Sequence, residues 1–352
     1  MSFLGRRRAA GRRRGDTATA SATAQPLPDI VLSTDSPPLL TVTPGEPASR
    51  WAAGRRDALR AAVAEHGSLL VRGLGLRNAT EVGEVFRGLT DTLTVEREAF
   101  APRLTYAQGV YSSTAWPSNQ PMCMHHESSY ALEFPGLLFF ACLEAAERGG
   151  ATGVADAAAV LDALPAELTE RFVRDGWLLT RSYNDEIGAS VAEAFGTDDR
   201  AAVEAYCRAR SIDVDWRPDG SLRTRQRRPA VLRHPVTGRR CWFNQIAFLS
   251  GWTLDAEVRA YLVDVYGADG LPFDTRYGDG SPIGADVVGT LNAVYEAHTV
   301  RREWRPGDLL LVDNIRCAHG REPFEGSREV LVGLADPVRT AGFPTKDEVS
   351  RV

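Results

Sequence analysis

Sulfur and histidine are scarce in this sequence, and long apolar runs are missing. Its 352 residues include only six His and three Met, and five Cys that are odd in number and form no C-x-x-C pair. This pattern indicates neither a disulfide framework nor a thiolate zinc site. No stretch approaches the roughly 18 consecutive apolar residues of a membrane-spanning helix. The Cys residues, which we expect to be reduced thiols, are Cys123, Cys142, Cys207, Cys241 and Cys317.

Charge is distributed unevenly along the chain. The formal net charge is −5, but residues 1–16 contain six Arg and one Asp, so the remainder sums to −10. Such an acidic body disfavours nucleic acid as a partner. No apolar segment of signal-peptide type follows the Arg-rich start. We therefore expect a soluble, cytoplasmic protein without a membrane partner, with a disordered tail over residues 1–28 and a single domain over residues 29–352.

Hydrophobic patterns predict many strands interrupted by a few helices. Asp156 is suited to cap a helix that begins at Ala157, and Val258, Leu262 and Val265 have the spacing of one helix face. The fold class is therefore mainly β with helical insertions, compatible with a double-sheet jelly roll, although periodicity alone does not select it over other β-rich folds. Strands are expected over residues 68–72, 137–143, 177–183, 308–314 and 328–334, and helices over residues 55–65, 198–208 and 256–266.

The tripeptide His125-His126-Glu127 is the first candidate for a catalytic site. On an extended segment, side chains two positions apart project from the same face, so His125 and Glu127 point together and His126 points away. By itself the motif is weak, because six His and 46 acidic residues in 352 produce about 0.8 such pairs by chance. With His319 as a third ligand, the set matches the two His and one carboxylate that hold Fe(II) in non-haem oxygenases.

Three blocks of sequence strengthen this interpretation. Residues 124–130, 149–156 and 313–328 resemble, in the same order, the signature blocks of the taurine dioxygenase family of Fe(II)/2-oxoglutarate-dependent oxygenases. The resemblance extends over about residues 65–337. It is strongest to the branch that contains clavaminate synthase and the syringomycin-type amino-acid hydroxylases of peptide pathways, in which Glu commonly replaces Asp as a ligand. It implies a double-stranded β-helix with the iron at the open end of the barrel.

The resemblance also implies roles for individual residues. The metal ligands would be His125, Glu127 and His319. Arg328 would bind the distal carboxylate of 2-oxoglutarate, since a guanidinium matches a carboxylate fork, and Thr152 would add a hydroxyl. Where a second Arg is frequent in the branch, Glu329 follows Arg328, which favours Arg328 as the cation.

Five further residues each allow two interpretations, one functional and one structural. Asn244 is a candidate for orienting cosubstrate or substrate, on a strand that otherwise serves the core. Arg321 and Arg181 are candidates for a substrate carboxylate and equally for solvated charges. Tyr130 and Tyr183 are suited either to the core or to a pocket wall.

We therefore expect an enzyme that uses Fe(II), 2-oxoglutarate and O2 to hydroxylate an unactivated C–H bond. We expect the substrate to be a small molecule, namely an amino acid or an amino-acid derivative. It would be either free or displayed on a carrier protein, in a pathway such as antibiotic biosynthesis. With the same cofactors, the alternatives are desaturation, epoxidation, cyclisation or catabolism of a taurine-type sulfonate. The same three ligands could also serve a Zn-dependent hydrolase, and a non-catalytic binding protein is the third class.

Overall fold

The structure is a computed structural model that describes residues 25–340, apart from residues 96, 97, 99, 101, 102, 185 and 186. Most of the expected tail, residues 1–24, lies outside the described residues. The assignment of residues 29–352 to one domain stays a prediction. Within the described residues, no helix combines the length and the apolar character needed to cross a membrane.

Strands outnumber helices, as the hydrophobic patterns predict. The helices are α1 (Ala48–Gly54), α2 (Arg56–His66), α3 (Ala79–Leu89), α4 (Ala157–Ala163), α5 (Ala166–Asp175), α6 (Val191–Phe195), α7 (Arg200–Ala209), α8 (Ala256–Tyr266) and α9 (Ala285–His298). The strands are β1 (Ile30–Val31), β2 (Leu39–Thr41), β3 (Ser68–Arg72), β4 (Thr105–Ala107), β5 (Val110–Ser112), β6 (Met122–His125), β7 (Glu133–Glu144), β8 (Arg148–Gly149), β9 (Thr152–Asp156), β10 (Trp177–Tyr183), β11 (Asp213–Trp216), β12 (Leu222–Arg228), β13 (Val231–Arg233), β14 (Arg240–Trp242), β15 (Phe273–Tyr277), β16 (Thr299–Val300), β17 (Leu309–Asp313), β18 (Cys317–Arg321), β19 (Phe324–Glu325) and β20 (Glu329–Arg339).

The largest described sheet has eight strands in the order β1-β2-β3-β17-β7-β20-β5-β4. Its central strand β7 pairs antiparallel with both β17 and β20. Side chains of β7 alternate between two cores, so that Leu138 and Phe140 enter one and Phe139 and Ala141 enter the other. This double burial explains why β7 is a continuous apolar run instead of an alternating one.

A second sheet, in the order β16-β9-β18-β6, faces the large one. The core between them contains Phe140 from β7, Val154 from β9 and Cys317 from β18. Ala318, the next residue of β18, enters a different core on the outer face of the second sheet. Two mainly antiparallel sheets packed over a shared core form the double-sheet arrangement expected from the sequence.

Helices and a further sheet cover the outer faces. α1, α2 and α3 pack on the large sheet, where the rings of Phe86 and Phe139 lie 5.1 Å apart. The second sheet is covered by α4, α5 and α9 together with the sheet β11-β12-β10-β15, through residues such as Phe172, Trp177 and Leu291. These helices and strands therefore cover the outer faces of the two sheets.

The clearest sequence predictions are confirmed. The strands over 68–72 and 177–183 and the helix over 256–266 have the expected bounds. Asp156 caps α4, since its carboxylate accepts from the N–H groups of Ala158 and Ala159. The expected apolar face of α8 is only partly buried: Leu262 is 8% exposed, but Val258 and Val265 are about half exposed, at 49% and 50%. Spacing defines a helix face, but only tertiary packing decides whether that face is covered.

A buried ion pair joins two strands of the large sheet. Asp308, which is 1% exposed, precedes β17 and accepts from the Nε (3.0 Å) and Nη2 (2.7 Å) of Arg72 at the end of β3.

Asp308→Ala would leave the Arg72 guanidinium without its carboxylate partner, so we expect the free energy of unfolding in urea to fall by about 3–5 kcal/mol. Glu325→Ala, which removes the partner of the exposed Arg148, is the control. This change should have little effect on the free energy of unfolding, because the ion pair is exposed to solvent. Equal losses in the two variants would contradict the prediction.

Candidate metal centre

Two neighbouring strands bring His125 and His319 together. His125 is the last residue of β6, and His319 is the middle residue of β18. The strands are antiparallel and these two residues lie opposite each other, with ring centroids 4.3 Å apart. Because opposite residues on paired strands project from the same face, both imidazoles enter the space between the sheets.

Glu127 reaches the same space from a turn. The expected extended segment ends at His125, and residues 127–130 form a turn. The carboxylate nevertheless arrives beside the imidazoles, with its Oε2 at 3.8 Å from Nε2 of His319. The ligand atoms of the three residues all lie within 4.8 Å of one another. All three side chains are buried.

Burial keeps both imidazoles neutral. Burial lowers the pKa of His125, against the opposing effect of Glu127, and it lowers the pKa of His319 well below the ordinary value. Nδ1 of His125 donates to the carbonyl of Cys123 at 2.8 Å, which leaves the lone pair on Nε2 free for a ligand. Nδ1 of His319 has no hydrogen-bond partner within the described part of the chain. Two neutral imidazoles and a carboxylate form a donor set that fits a divalent cation.

His126 points away from this group, as the sequence predicts. Its Nδ1 donates to the carbonyl of Asn314 at 2.6 Å, and its ring lies 4.9 Å from that of Phe243. Complete burial lowers the pKa of His126 to about 4, so that it remains neutral at physiological pH. His126 thus packs and hydrogen-bonds behind the metal site and does not face it.

The same cavity contains Thr152 and Arg328. The Nε of Arg328 donates to the carbonyl of Gly150 at 2.9 Å. Burial lowers its pKa to about 10, with Arg321 adding to the effect and the Cys142 thiol opposing it, and no carboxylate forms an ion pair with it within the described residues. The Thr152 hydroxyl accepts from Nε1 of Trp304 at 3.3 Å, which leaves its own hydrogen to donate. This part of the cavity therefore presents a cation and a hydroxyl donor.

Asn244 does not join the group. Its Nδ2 donates to the carbonyl of Ala230 at 3.1 Å, and its Oδ1 accepts from the N–H of Ile246 at 3.1 Å. The side chain is 2% exposed and is not part of the cavity wall. The amide thus holds the loop after β14, which gives no support to the expected contact with a cosubstrate, and that contact stays a prediction. The neighbouring Gln245 is equally buried and off the wall.

The other candidate cations differ in position. Arg321 is part of the cavity wall, and its guanidinium donates to the carbonyls of Pro117 and Gln120 at 2.7 and 2.8 Å. It therefore ties the segment before β6 to β18. Arg181 lies elsewhere and donates to the carbonyl of Glu98 at 2.8 Å. Tyr130 and Tyr183 are core residues, 3% and 2% exposed.

Arg103 is a site residue that the sequence analysis missed. Its Nη2 donates to both carboxylate oxygens of Glu127 at 3.2 Å, and both side chains are 7% exposed. The chain between the two residues passes through β4, β5 and β6, so no regular spacing relates them. A single Arg outside any recognised block carries no signal by itself.

Comparison with known proteins agrees with this geometry. The model of the taurine catabolism dioxygenase TauD, TfdA family matches residues 35–334. The chain belongs to this family. It is therefore an Fe(II)- and 2-oxoglutarate-dependent dioxygenase that acts on a small molecule, which confirms the expected enzyme class and cofactors.

Individual relatives and a solved structure match most of the chain. The dapdiamide synthesis protein DdaC of Enterobacter agglomerans is 35% identical over 286 residues, which are 81% of this chain and 86% of the relative. A clavaminate synthase-like protein of Arabidopsis thaliana is 28% identical over 282 residues, 77% of this chain and 82% of the relative. The crystal structure of PvcB from Pseudomonas aeruginosa, 17% identical, superposes with a TM-score of 0.51 over 91% of both chains. That likeness concerns the fold, and with the family it confirms the jelly roll.

The adjacent His125 and His126 provide a direct test of the geometry. His125→Ala should lower the affinity for Co(II), measured by its visible absorption, by more than about 100-fold, because loss of an outer partner alone costs about 10–100-fold. His126→Ala should keep Co(II) binding within about tenfold, since that ring lies outside the ligand set. A larger loss in His126→Ala than in His125→Ala would overturn the assignment.

Proposed function

We propose that His125, Glu127 and His319 hold a single Fe(II) ion. The observation that carries the proposal is the convergence of two neutral imidazoles and one carboxylate, all buried, at one point between the sheets. Such a set occupies one face of an octahedron and leaves three positions open. Membership of a dioxygenase family supports iron over the zinc of a hydrolase.

Arg328 and Thr152 bind the distal carboxylate of 2-oxoglutarate in this proposal. Two neutral imidazoles and Glu127 leave a formal charge of +1 on Fe(II), which favours a dianionic cosubstrate. A guanidinium offers paired N–H donors that match a carboxylate. Support comes from the position of both side chains in the cavity that also contains His125, Glu127 and His319, and from the fact that Arg328 forms no ion pair within the described residues.

Fe(II) and 2-oxoglutarate, when bound, supply the activation of O2, while 2-oxoglutarate is decarboxylated to succinate. The chain itself supplies position and exclusion of water. Phe248 stacks on His125 with ring centroids 4.4 Å apart, and Phe140 lies 5.2 Å from His319. These apolar rings fix the imidazole planes and surround the site with a low-dielectric wall.

The proposed reaction is hydroxylation of an unactivated C–H bond in an amino acid or an amino-acid derivative. Support comes from the 35% identity to a protein of dapdiamide synthesis and from the likeness to a clavaminate synthase-like protein. The described cavity wall contains Arg103, Arg321 and Arg328 but only one acidic residue, Glu127. This balance suits a substrate that carries a carboxylate. The substrate is either free or displayed on a carrier protein.

Anaerobic reconstitution tests the proposal. Enzyme loaded with Fe(II) and 2-oxoglutarate is exposed to O2 with a panel of amino acids, their acyl derivatives, the corresponding carrier thioesters and alkyl sulfonates. We expect succinate and a hydroxylated product in equal amounts with a member of the amino-acid set. Turnover confined to sulfonates would reject the substrate class, and desaturated, epoxidised or cyclised product would reject hydroxylation. Hydrolysis without succinate formation would reject the whole proposal.

Arg328→Ala should act through the cosubstrate. Removing the guanidinium leaves a buried carboxylate without its charged partner, at a cost of about 2–5 kcal/mol, so the 2-oxoglutarate concentration required for half-maximal turnover should rise steeply. Thr152→Val should show a smaller rise, because a neutral hydroxyl contributes less. Arg148→Ala, which alters an exposed Arg paired with Glu325, is the matched control. An unchanged 2-oxoglutarate requirement in Arg328→Ala would move the role to another cation.

A further inference from the structure

Asn314 lies beneath the candidate iron site and joins three segments of the fold. It belongs to the connection between β17 and β18 and is fully buried. Its backbone N–H donates to the carbonyl of Gly136 at 3.0 Å, and its Nδ2 donates to the carbonyl of Pro135 at 2.7 Å. Both acceptors are on β7, so Asn314 is anchored to the centre of the large sheet.

Both backbone polar groups of Glu127 form hydrogen bonds with the side chain of Asn314. The N–H of Glu127 donates to Oδ1 of Asn314 at 2.8 Å, and its carbonyl accepts from Nδ2 at 3.0 Å. Since β6 ends at His125, no strand ladder orients Glu127. The following residue, Ser128, has a φ of +54°, a conformation that a non-Gly residue adopts only when its surroundings enforce it. Two hydrogen bonds to one planar amide fix the direction in which the Glu127 side chain leaves the backbone.

The same connection also orients the other ligand segments. The carbonyl of Asn314 accepts from Nδ1 of His126 at 2.6 Å. The adjacent Asp313 accepts from the N–H groups of Ile315 and Arg316, both at 3.0 Å, and thereby shapes the turn that leads to His319. One short stretch of chain thus determines where Glu127 and the strand of His319 meet.

We propose that Asn314 is the positioning residue for the iron-binding carboxylate of Glu127. The inference rests on the proposed function for the identity of the metal. Only an amide of this length offers an acceptor to the Glu127 N–H and two donors to the carbonyls of Glu127 and Pro135. Asp at this position would keep the acceptor but turn a carboxylate oxygen toward two carbonyl oxygens.

The test compares Asn314→Asp with wild type in three measurements: Co(II) affinity, the visible absorption of bound Co(II), and succinate formed per product. We expect an affinity loss of about 10–100-fold, typical of a residue that orients a metal ligand. We also expect altered Co(II) absorption and an excess of succinate over product. Val85→Ala, a truncation in α3 on the far side of the large sheet, is the control for lost stability and should change none of the three.

The outcomes separate this inference from the proposed function. Wild-type Co(II) affinity and absorption in a folded Asn314→Asp protein would overturn the positioning role, even with a lowered Tm. Weakened, spectrally altered Co(II) binding would support it, even if wild type failed to turn over 2-oxoglutarate, a result that rejects only the proposed function. If Asn314→Asp does not fold, Asn314→Ser, which keeps one donor and one acceptor, is subject to the same criteria.

Discussion

The pairing of β6 with β18 is the contact on which the candidate site depends. It places His125 directly opposite His319, with both rings inside the sandwich. Because side chains alternate along a strand, a shift of one residue would turn His319 outward and bring Ala318 into its place. Burial of Cys317 in the inner core and Ala318 in the outer one specifies the register. The two sheets therefore determine the ligand geometry through their packing.

Desolvation imposes the second constraint. A carboxylate among apolar rings is costly without a cation, and in the structure Arg103 contacts both oxygens of Glu127. The same burial that makes the carboxylate costly keeps His125 and His319 neutral and thus able to bind a metal. On the other side of the cavity, the partly buried guanidinium of Arg328 forms no ion pair within the described residues and can therefore bind an anionic ligand.

Sequence reasoning was most successful where a short segment carries its own pattern. The helix over 256–266 and the strand over 177–183 were predictable because periodicity and flanking residues agree. The sequence around Asn244 did not show that its amide hydrogen-bonds to Ala230 and Ile246, because the contact with Ala230 forms only in the folded chain. Arg103 was missed because its contact with Glu127 exists only after β4, β5 and β6 are arranged in the fold.

The sequence by itself determined the family, the β-rich class and the identity of the candidate ligands, because these depend on residue types in ordered blocks. It also assigned His125 as the ligand and His126 as the neighbour that points away, although the chain leaves the extended conformation after His125. Tertiary structure alone decided that Glu127 reaches the site from a turn, that Asn314 orients it, and that Val258 and Val265 remain exposed. Each of these outcomes depends on contacts between segments far apart in the chain, and such contacts are set by the packing of the whole fold and not by local pattern.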